Sequence, residues 1–324
     1  MKHSIFKVGA LSLAMLSAGV MAKEYEIVNV VKVSGIPWFN QMNKGIELAA
    51  SDLGVNARQV GPSTPDPAQQ VKIIEDLIAK GVDAITVVPN DVTVLEPVFK
   101  KAREKGIVVL THESPDKHNA DWDIETLDNT VYAKATMDEL AKHMGNKGGY
   151  VVYVGSLTVP LHNNWADLAI AYQKQVYPEM HEVTSRMPVA ESVDASYATT
   201  NDLMKAHPDM KGIVSYGSLG LIGAGEALKK KRAKDKISAV GILMPSQAAP
   251  YLIRGEIDKG FLWDPADAGY ALVSVAKMML DGKEIKDGLE IQNLGKAEVN
   301  AETKVIKFNK ILEVDKTNAS SLGF

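Results

Sequence analysis

Apolar runs and turn residues alternate along this chain in a regular order. Tyr25 to Val33 is rich in β-branched residues and predicts a strand, Ser34 to Pro37 break it, and Met42, Ile46, Ala49, Ala50 and Leu53 recur at helical spacing over Asn40 to Leu53. Val55 to Val60 predicts a second strand, closed by Gly61 and Pro62, and Asp66 to Ala79 a second helix. That β-α-β-α order builds a parallel sheet. Ala84 to Val88 is wholly apolar, as in a strand buried on both faces. Val94 to Glu104 predicts a helix with Leu95, Val98, Phe99 and Ala102 on one side, where Pro97 is tolerable only near the first turn. Ile107 to Leu110 is a fourth strand, and it runs into the polar cluster Thr111 to Asp116. From Asp121 to Asn129 the period is lost, which makes this polar stretch the first candidate crossing between two lobes.

The alternation then restarts. Tyr132 to Met144, Asn163 to Val176, Asp194 to Ala206 and Leu219 to Lys231 read as helices, with strands at Tyr150 to Val154, Glu182 to Met187, Gly212 to Tyr216 and Ile237 to Leu243. Gln247 to Ile253 and Phe261 to Trp263 continue the order, Asp267 to Leu280 is a further helix, and Lys296 to Val299 and Val305 to Phe308 look like short strands. Each half holds about four β-α units at similar spacing, so the expected class is α/β with two like, doubly wound parallel-sheet lobes. Tail strands point to a final crossing between them.

Composition sharpens the address. The chain has 324 residues and no cysteine, enough for two full cores. Lys2 and Lys7, the short apolar run Val8 to Leu16 and the small residues around Val20-Met21-Ala22 read as a signal peptide cleaved after Ala22. The run is too short and too interrupted for a membrane span, and no cysteine follows it to carry a lipid anchor. Without Lys2 and Lys7 the formal charge passes from −4 to −6 with acids and bases interspersed, which gives nucleic-acid binding no support. The one basic run, Lys229 to Lys234, falls at a helix end where cations suit the dipole. Asn318-Ala319-Ser320 matches a glycosylation acceptor, a pattern common by chance.

Loops at the carboxyl ends of parallel strands are where such folds bind ligands. Lys32 stands at the first such loop with Trp38 and Phe39 after it; the two rings either cover the start of the helix or receive a ligand. His112, Glu113, Asp116 and His118 are the densest group of possible metal ligands, but Pro115 and Lys117 interrupt any regular presentation. The same mix suits sugar hydroxyls, since a carboxylate accepts from adjacent hydroxyls while imidazole or amide groups donate. In His162-Asn163-Asn164-Trp165, one asparagine caps a helix, or His162 and an asparagine face a cleft. Asp264 either caps the helix after Trp263 or reaches a ligand hydroxyl, and the roles are compatible. Glu113 and Asp264 facing each other would also leave a glycosidase open on geometry alone, against which stands the absence of any second catalytic element. Gly220, Gly223 and Gly225 reverse the dinucleotide fingerprint and read as the start of a helix packed closely on its sheet. No glycine-flanked serine elbow follows a strand.

Together, the export signal, the two β-α lobes, Trp38-Phe39, His112-Glu113 and Trp263-Asp264-Pro265 resemble the periplasmic solute-binding proteins that feed ABC sugar importers, over nearly the whole mature chain. Within that superfamily the chain is most similar to the branch that binds autoinducer-2, a small furanose signal, alongside rhamnose and related binders. The resemblance implies a type I periplasmic-binding-protein fold with a three-segment hinge, no catalytic activity, and closure on ligand for an inner-membrane permease. The pocket lysine of that branch falls on Lys32, its first aspartate on Glu113 and its late aspartate on Asp264. Its Asp-Gln pair falls on Leu161 and His162, and its Pro-Asp-Ala turn on Tyr216, Gly217 and Ser218, which removes a carboxylate from the second lobe and adds bulk at Tyr216.

These readings give a signal peptide at 1–22, a first lobe of 23–128 plus 264–292, a second lobe of 129–263 plus 293–324, and a hinge near Asp128, Trp263 and Gln292. The expected ligand-binding set is Lys32, Trp38, Phe39, Asn90, His112, Glu113, His162, Asn163, Tyr216, Ser218, Gln247 and Asp264, with no catalytic residue, metal or cofactor. The expected function is that of a monomeric, periplasmic, non-enzymatic binding protein that carries a small neutral sugar, deoxysugar or polyol to an ABC permease. Alternatives are an autoinducer-2 receptor for uptake or chemotaxis, and a periplasmic carbohydrate-active enzyme.

Overall fold

The computed structural model describes residues 24–324; the expected signal peptide lies outside the described residues. The chain begins with β1 (Glu26–Val30), α1 (Pro37–Leu53), β2 (Asn56–Val60), α2 (Pro67–Lys80), β3 (Ala84–Val87), α3 (Val92–Glu104), β4 (Val108–His112) and β5 (Trp122–Glu125). It continues through α4 (Asn129–Met144), β6 (Gly148–Tyr153), α5 (Pro160–Val176), β7 (Met180–Glu182), α6 (Val193–Ala206), β8 (Met210–Ser215), α7 (Gly220–Lys231), β9 (Ser238–Gly241), α8 (Pro245–Arg254) and β10 (Lys259–Leu262). After α9 (Pro265–Leu280) come the short strands β11 (Glu290–Ile291), β12 (Gly295–Lys296), β13 (Glu298–Asn300), β14 (Val305–Lys307) and β15 (Leu312–Val314).

Two sheets organise these elements, in the orders β13-β14-β5-β4-β3-β1-β2 and β15-β10-β9-β8-β6-β7. Pairing is parallel except at β13 with β14, at β15 with β10 and in the separate two-stranded pair of β11 with β12. The central strands β1, β3 and β8 are buried almost throughout, which is why they read as apolar runs rather than alternating ones. Helix starts follow local chemistry: Asp66, Asp91, Asp128 and Ser192 each accept a backbone N–H of the following turn, satisfying donors that the helix itself leaves unpaired. Capping by Asp91 starts α3 two residues earlier than its apolar pattern predicts and leaves Pro97 inside the helix rather than near its first turn. The glycines that open α7 pack as expected: a Cβ on Gly220 would lie 2.2 Å from the Ser215 hydroxyl, and one on Gly223 2.1 Å from that of Ser196.

The chain crosses between the lobes after β5, after β10 and after β14, and the order of the sheets corrects two expectations. Residues 121–129 are not merely an irregular crossing, because β5 lies inside them and pairs with β4 and β14. Its pattern is hidden because Asp123 and Glu125 are buried, at 0% and 2% exposure, alongside Trp122 and Ile124. Nor does the last segment belong wholly to the second lobe: β13 and β14 complete the first sheet, and only β15 joins the second. The third crossing therefore follows Lys307 rather than lying near Gln292. Helix α9 returns to the first lobe and packs against α1 at backbone contact. A Cβ on Gly45 would fall 1.8 Å from the Ala266 carbonyl oxygen, and one on Gly269 2.3 Å from that of Met42.

Candidate functional site

The carboxyl ends of both sheets face one cleft, and its first wall is built at the end of β1. Gln70, fully buried in α2, donates to the carbonyls of Val31 and Val88 and accepts from the Asn90 N–H, tying the ends of β1 and β3 together. Asn90 in turn donates to the Lys32 carbonyl at 2.8 Å. So braced, Lys32 enters the cleft at 2% exposure. Its ammonium reaches Glu113 Oε2 at 2.8 Å, Glu191 Oε1 at 3.3 Å and His162 Nε2 at 3.2 Å, and lies 5.8 Å from the centre of the Phe39 ring. Glu113 belongs to the first lobe; Glu191 and His162 belong to the second. Burial on its own pulls the Lys32 pKa down, but the Glu113 and Glu191 carboxylates outweigh it and the net shift is upward, which keeps the ammonium charged.

Glu113 follows β4 with φ 62°, a left-handed conformation that a non-glycine residue adopts at a cost of about 1 kcal/mol or more. That geometry turns its carboxylate to Lys32. Behind it, His112 donates from Nδ1 to the Ile124 carbonyl at 2.6 Å and packs edge-on to Trp263. Trp263 also meets Trp38 at 5.1 Å and Trp165 at 6.0 Å, so three indoles join the floor of the cleft to the second crossing. From the second lobe, His162 stacks on Trp165, and its Nδ1 accepts the Gly155 N–H at 3.0 Å. Burial, helped by the Lys32 charge, pushes the imidazole pKa well down. His162 is therefore neutral, and because Nδ1 accepts, its proton sits on Nε2.

These groups line a tight interlobe cleft with little free space, about 10 Å³, walled by Lys32, Ile36, Trp38, Phe39, Glu113, His162, Glu191, Tyr216, Gly217, Ser218 and Ile242. A larger recess beside β13 and β14 holds Asp116, Asp287, Glu298 and Lys307 but has no aromatic wall. Of the residues expected from sequence, Lys32, Trp38, Phe39, Glu113, His162, Tyr216 and Ser218 come together on the cavity. Asn90 and His112 stand behind it as braces. Asn163 turns to the Ser156 and Val159 carbonyls and accepts from Arg186. Asp264 caps α9 by accepting the Ala266 N–H at 2.9 Å, also accepts from Gln41, and is not among the lining residues. Gln247 is half-buried in the first turn of α8, again off the lining. His112 and Glu113 point inward, whereas Asp116 and His118 are exposed, so the cluster does not converge.

Sequence reasoning missed Glu191. It follows Met187, which bridges to the end of β6 at Tyr153, so it too lies beyond a strand end, although β7 itself stops at Glu182. The resemblance takes a carboxylate away at Leu161, yet a different loop brings one to the second lobe.

Two doubly wound lobes with three crossings and a charged, aromatic-walled cleft define a type I binding-protein architecture. A model of the periplasmic binding protein domain matches residues 27–284, and the chain belongs to that family. The ribose import binding protein RbsB of Escherichia coli strain K12 is 23% identical over 287 residues, 88% of this chain and 95% of that protein. The D-apiose import binding protein of Actinobacillus succinogenes is 24% identical over 307 residues, 93% and 96% of the two chains. Among solved structures, an ABC transporter solute-binding protein from Clostridium phytofermentas with bound L-rhamnose superposes with TM-score 0.85 at 22% identity, covering 93% of this chain and 98% of that one. LsrB from Clostridium saccharobutylicum in complex with AI-2 gives TM-score 0.84 at 20% identity, with 92% and 100% covered.

Proposed function

We propose that this chain is an exported, non-enzymatic solute-binding protein that captures a small neutral sugar, deoxysugar or polyol and presents it, as a monomer, to an ABC permease of the inner membrane. The observation that carries the reading is the buried Lys32 ammonium between Glu113 of one lobe and Glu191 of the other, beside the Trp38 and Phe39 rings. Carboxylates and an ammonium suit hydroxyls that both donate and accept, and an aromatic wall suits the C–H face of a ring. An anionic ligand would meet two carboxylates against one ammonium. Close walls contributed by both lobes favour a small ligand over longer saccharides. Glu113, Lys32, Trp38, Phe39, His162, Tyr216 and Ser218 are the proposed contacts, and the names of the relatives, for ribose, D-apiose, L-rhamnose and AI-2, agree with this ligand class. Against a glycosidase, Asp264 is engaged as a helix cap rather than facing Glu113 across the cavity.

The test is calorimetric titration of the purified protein with D-ribose, D-apiose, D-arabinose, L-rhamnose and AI-2, with mass spectrometry of each mixture afterwards. Stoichiometric heat with the ligand recovered unchanged is expected. Turnover of any of them, or binding confined to amino acids or sugar phosphates in parallel titrations, refutes the reading.

A further inference from the structure

We propose that Glu191 is a specificity-determining ligand residue of the second lobe, which together with Glu113 accepts a pair of ligand hydroxyls on either side of Lys32. The inference rests on the sugar-binding reading above and deepens it. Glu191 sits on a loop fixed at both flanks: the Ala190 N–H donates to Val154 at 2.9 Å, the Ala190 carbonyl accepts from Leu219 at 3.1 Å, and Ser192 caps α6. Its side chain is 7% exposed. One oxygen, Oε1, meets Lys32, while Oε2 is buried without a hydrogen-bond partner. Space for this carboxylate is kept by Gly155, where an added Cβ would lie 3.0 Å from Glu191 Cγ and 3.1 Å from its Oε1.

Opposite it, the hydrogen-bond inventory is unbalanced. His162 gives its lone pair to the Gly155 N–H, so Nε2 carries the proton and faces the Lys32 ammonium at 3.2 Å, donor against donor. Glu191 Oε1 is 3.9 Å from that Nε2, too far to settle the contact. A hydroxyl placed there accepts from Nε2–H or the ammonium and donates to Glu191. A keto group or an ether oxygen accepts but leaves the orphaned carboxylate oxygen unpaired. Glu191 therefore reads a hydroxyl at one position of the ring, across Lys32 from Glu113.

The experiment compares wild type with Glu191→Gln and Glu191→Asp by calorimetric titration, using the tightest binder among D-ribose, D-arabinose and L-rhamnose and each of its monodeoxy analogues. Thermal unfolding curves of all three proteins establish that the variants are folded. In wild type, one analogue should bind at least about 10-fold more weakly than its parent; in Glu191→Gln the parent should weaken ~10- to 100-fold and that gap should close, because a neutral amide replaces a charged acceptor. Glu191→Asp should keep the preference at reduced affinity. The inference is overturned if Glu191→Gln binds the parent as wild type does, or if it weakens the parent and every analogue equally, as a residue that merely positions Lys32 would. If binding is confined to amino acids or sugar phosphates, the sugar reading itself fails and the inference falls with it.

Discussion

Replacing Lys32 with methionine would strand Glu113 and Glu191, whose contacts at 2.8 and 3.3 Å link side chains that are 3%, 4% and 7% exposed. At an effective dielectric of about 20, one such pair near 3 Å is worth ~5 kcal/mol before desolvation is counted. Removing one member of a buried pair costs about 3–5 kcal/mol in general. Proton uptake limits the damage: holding a carboxylate of ordinary pKa near 4.3 protonated at pH 7 costs about 3.7 kcal/mol. We therefore expect a loss of about 3–5 kcal/mol near neutrality. The sign of its pH dependence follows from linkage. In the variant the stranded carboxylates have folded-state pKa values above their unfolded ones, so the folded protein binds more protons above about pH 4.3, and stability falls as pH rises, by up to about 1.4 kcal/mol per pH unit for each group. Urea unfolding of wild type and Lys32→Met at about pH 5 and about pH 7.5 should show a deficit that is larger at the higher pH. Lys101, paired with Glu75 on the surface at 3.1 Å, is the control; Lys101→Met should stay within about 0.5 kcal/mol of wild type. A Lys32→Met deficit below about 1 kcal/mol that is the same at both pH values would refute the reasoning.

Three more outcomes are expected. Gly269→Ala places a Cβ 2.3 Å from the Met42 carbonyl oxygen, so unfolding curves should show a loss above about 2 kcal/mol, as for overpacked cores, while a neutral result would mean that α1 and α9 separate freely. Glu125, whose pKa is raised well above 4.5 by burial and by Asp123 and Glu113, binds its proton in the folded state and costs stability as pH rises above its unfolded value; Glu125→Gln should flatten that decline in urea curves taken from about pH 4.5 to about pH 8, and an unchanged slope counts against a protonated Glu125. Tyr216→Ala removes a fully buried ring from the cavity wall; it should destabilise by about 3–5 kcal/mol and shift the ratio of dissociation constants toward deoxyhexoses over pentoses, and an unchanged ratio in calorimetric titration would show that the ring does not set pocket size.

Much of this site was legible because it obeys a local rule. Lys32 and Glu113 follow apolar strands directly, so their position on the rim follows from strand polarity alone. Glu191 escaped because the strand expected at Glu182 to Met187 is displaced: β7 ends at Glu182, and the chain beyond it follows β6 only through isolated bonds at Val183, Met187 and Ala190, so Glu191 stands four residues past the expected strand end. Asp264 shows the opposite limit: the same residue type caps a helix or binds a hydroxyl, and only coordinates reveal its bonds to Ala266 and Gln41. β5 was hidden by its buried acids. The lobe of β14 was not readable at all, since which sheet edge accepts a late strand depends on groups far away in sequence: Lys117, for instance, donates to the carbonyls of Thr303 and Lys304.

That late strand sets the order in which the molecule can be finished. β5 has β4 on one side and β14 on the other, and the Asp123 N–H donates to Lys304 while the Glu125 carbonyl accepts from Phe308. A chain emerging from its amino terminus thus holds the first sheet with an unpaired parallel edge while the whole second lobe is being made, and such an edge is a template for wrong partners. A stop a few residues before Val305 would leave both lobes incomplete, one lacking β14 and the other β15, although most of each sheet had already been synthesised. The same late segment, β13 to β15, therefore seals one side of each sheet, and those two sides are completed only after every other strand has been made.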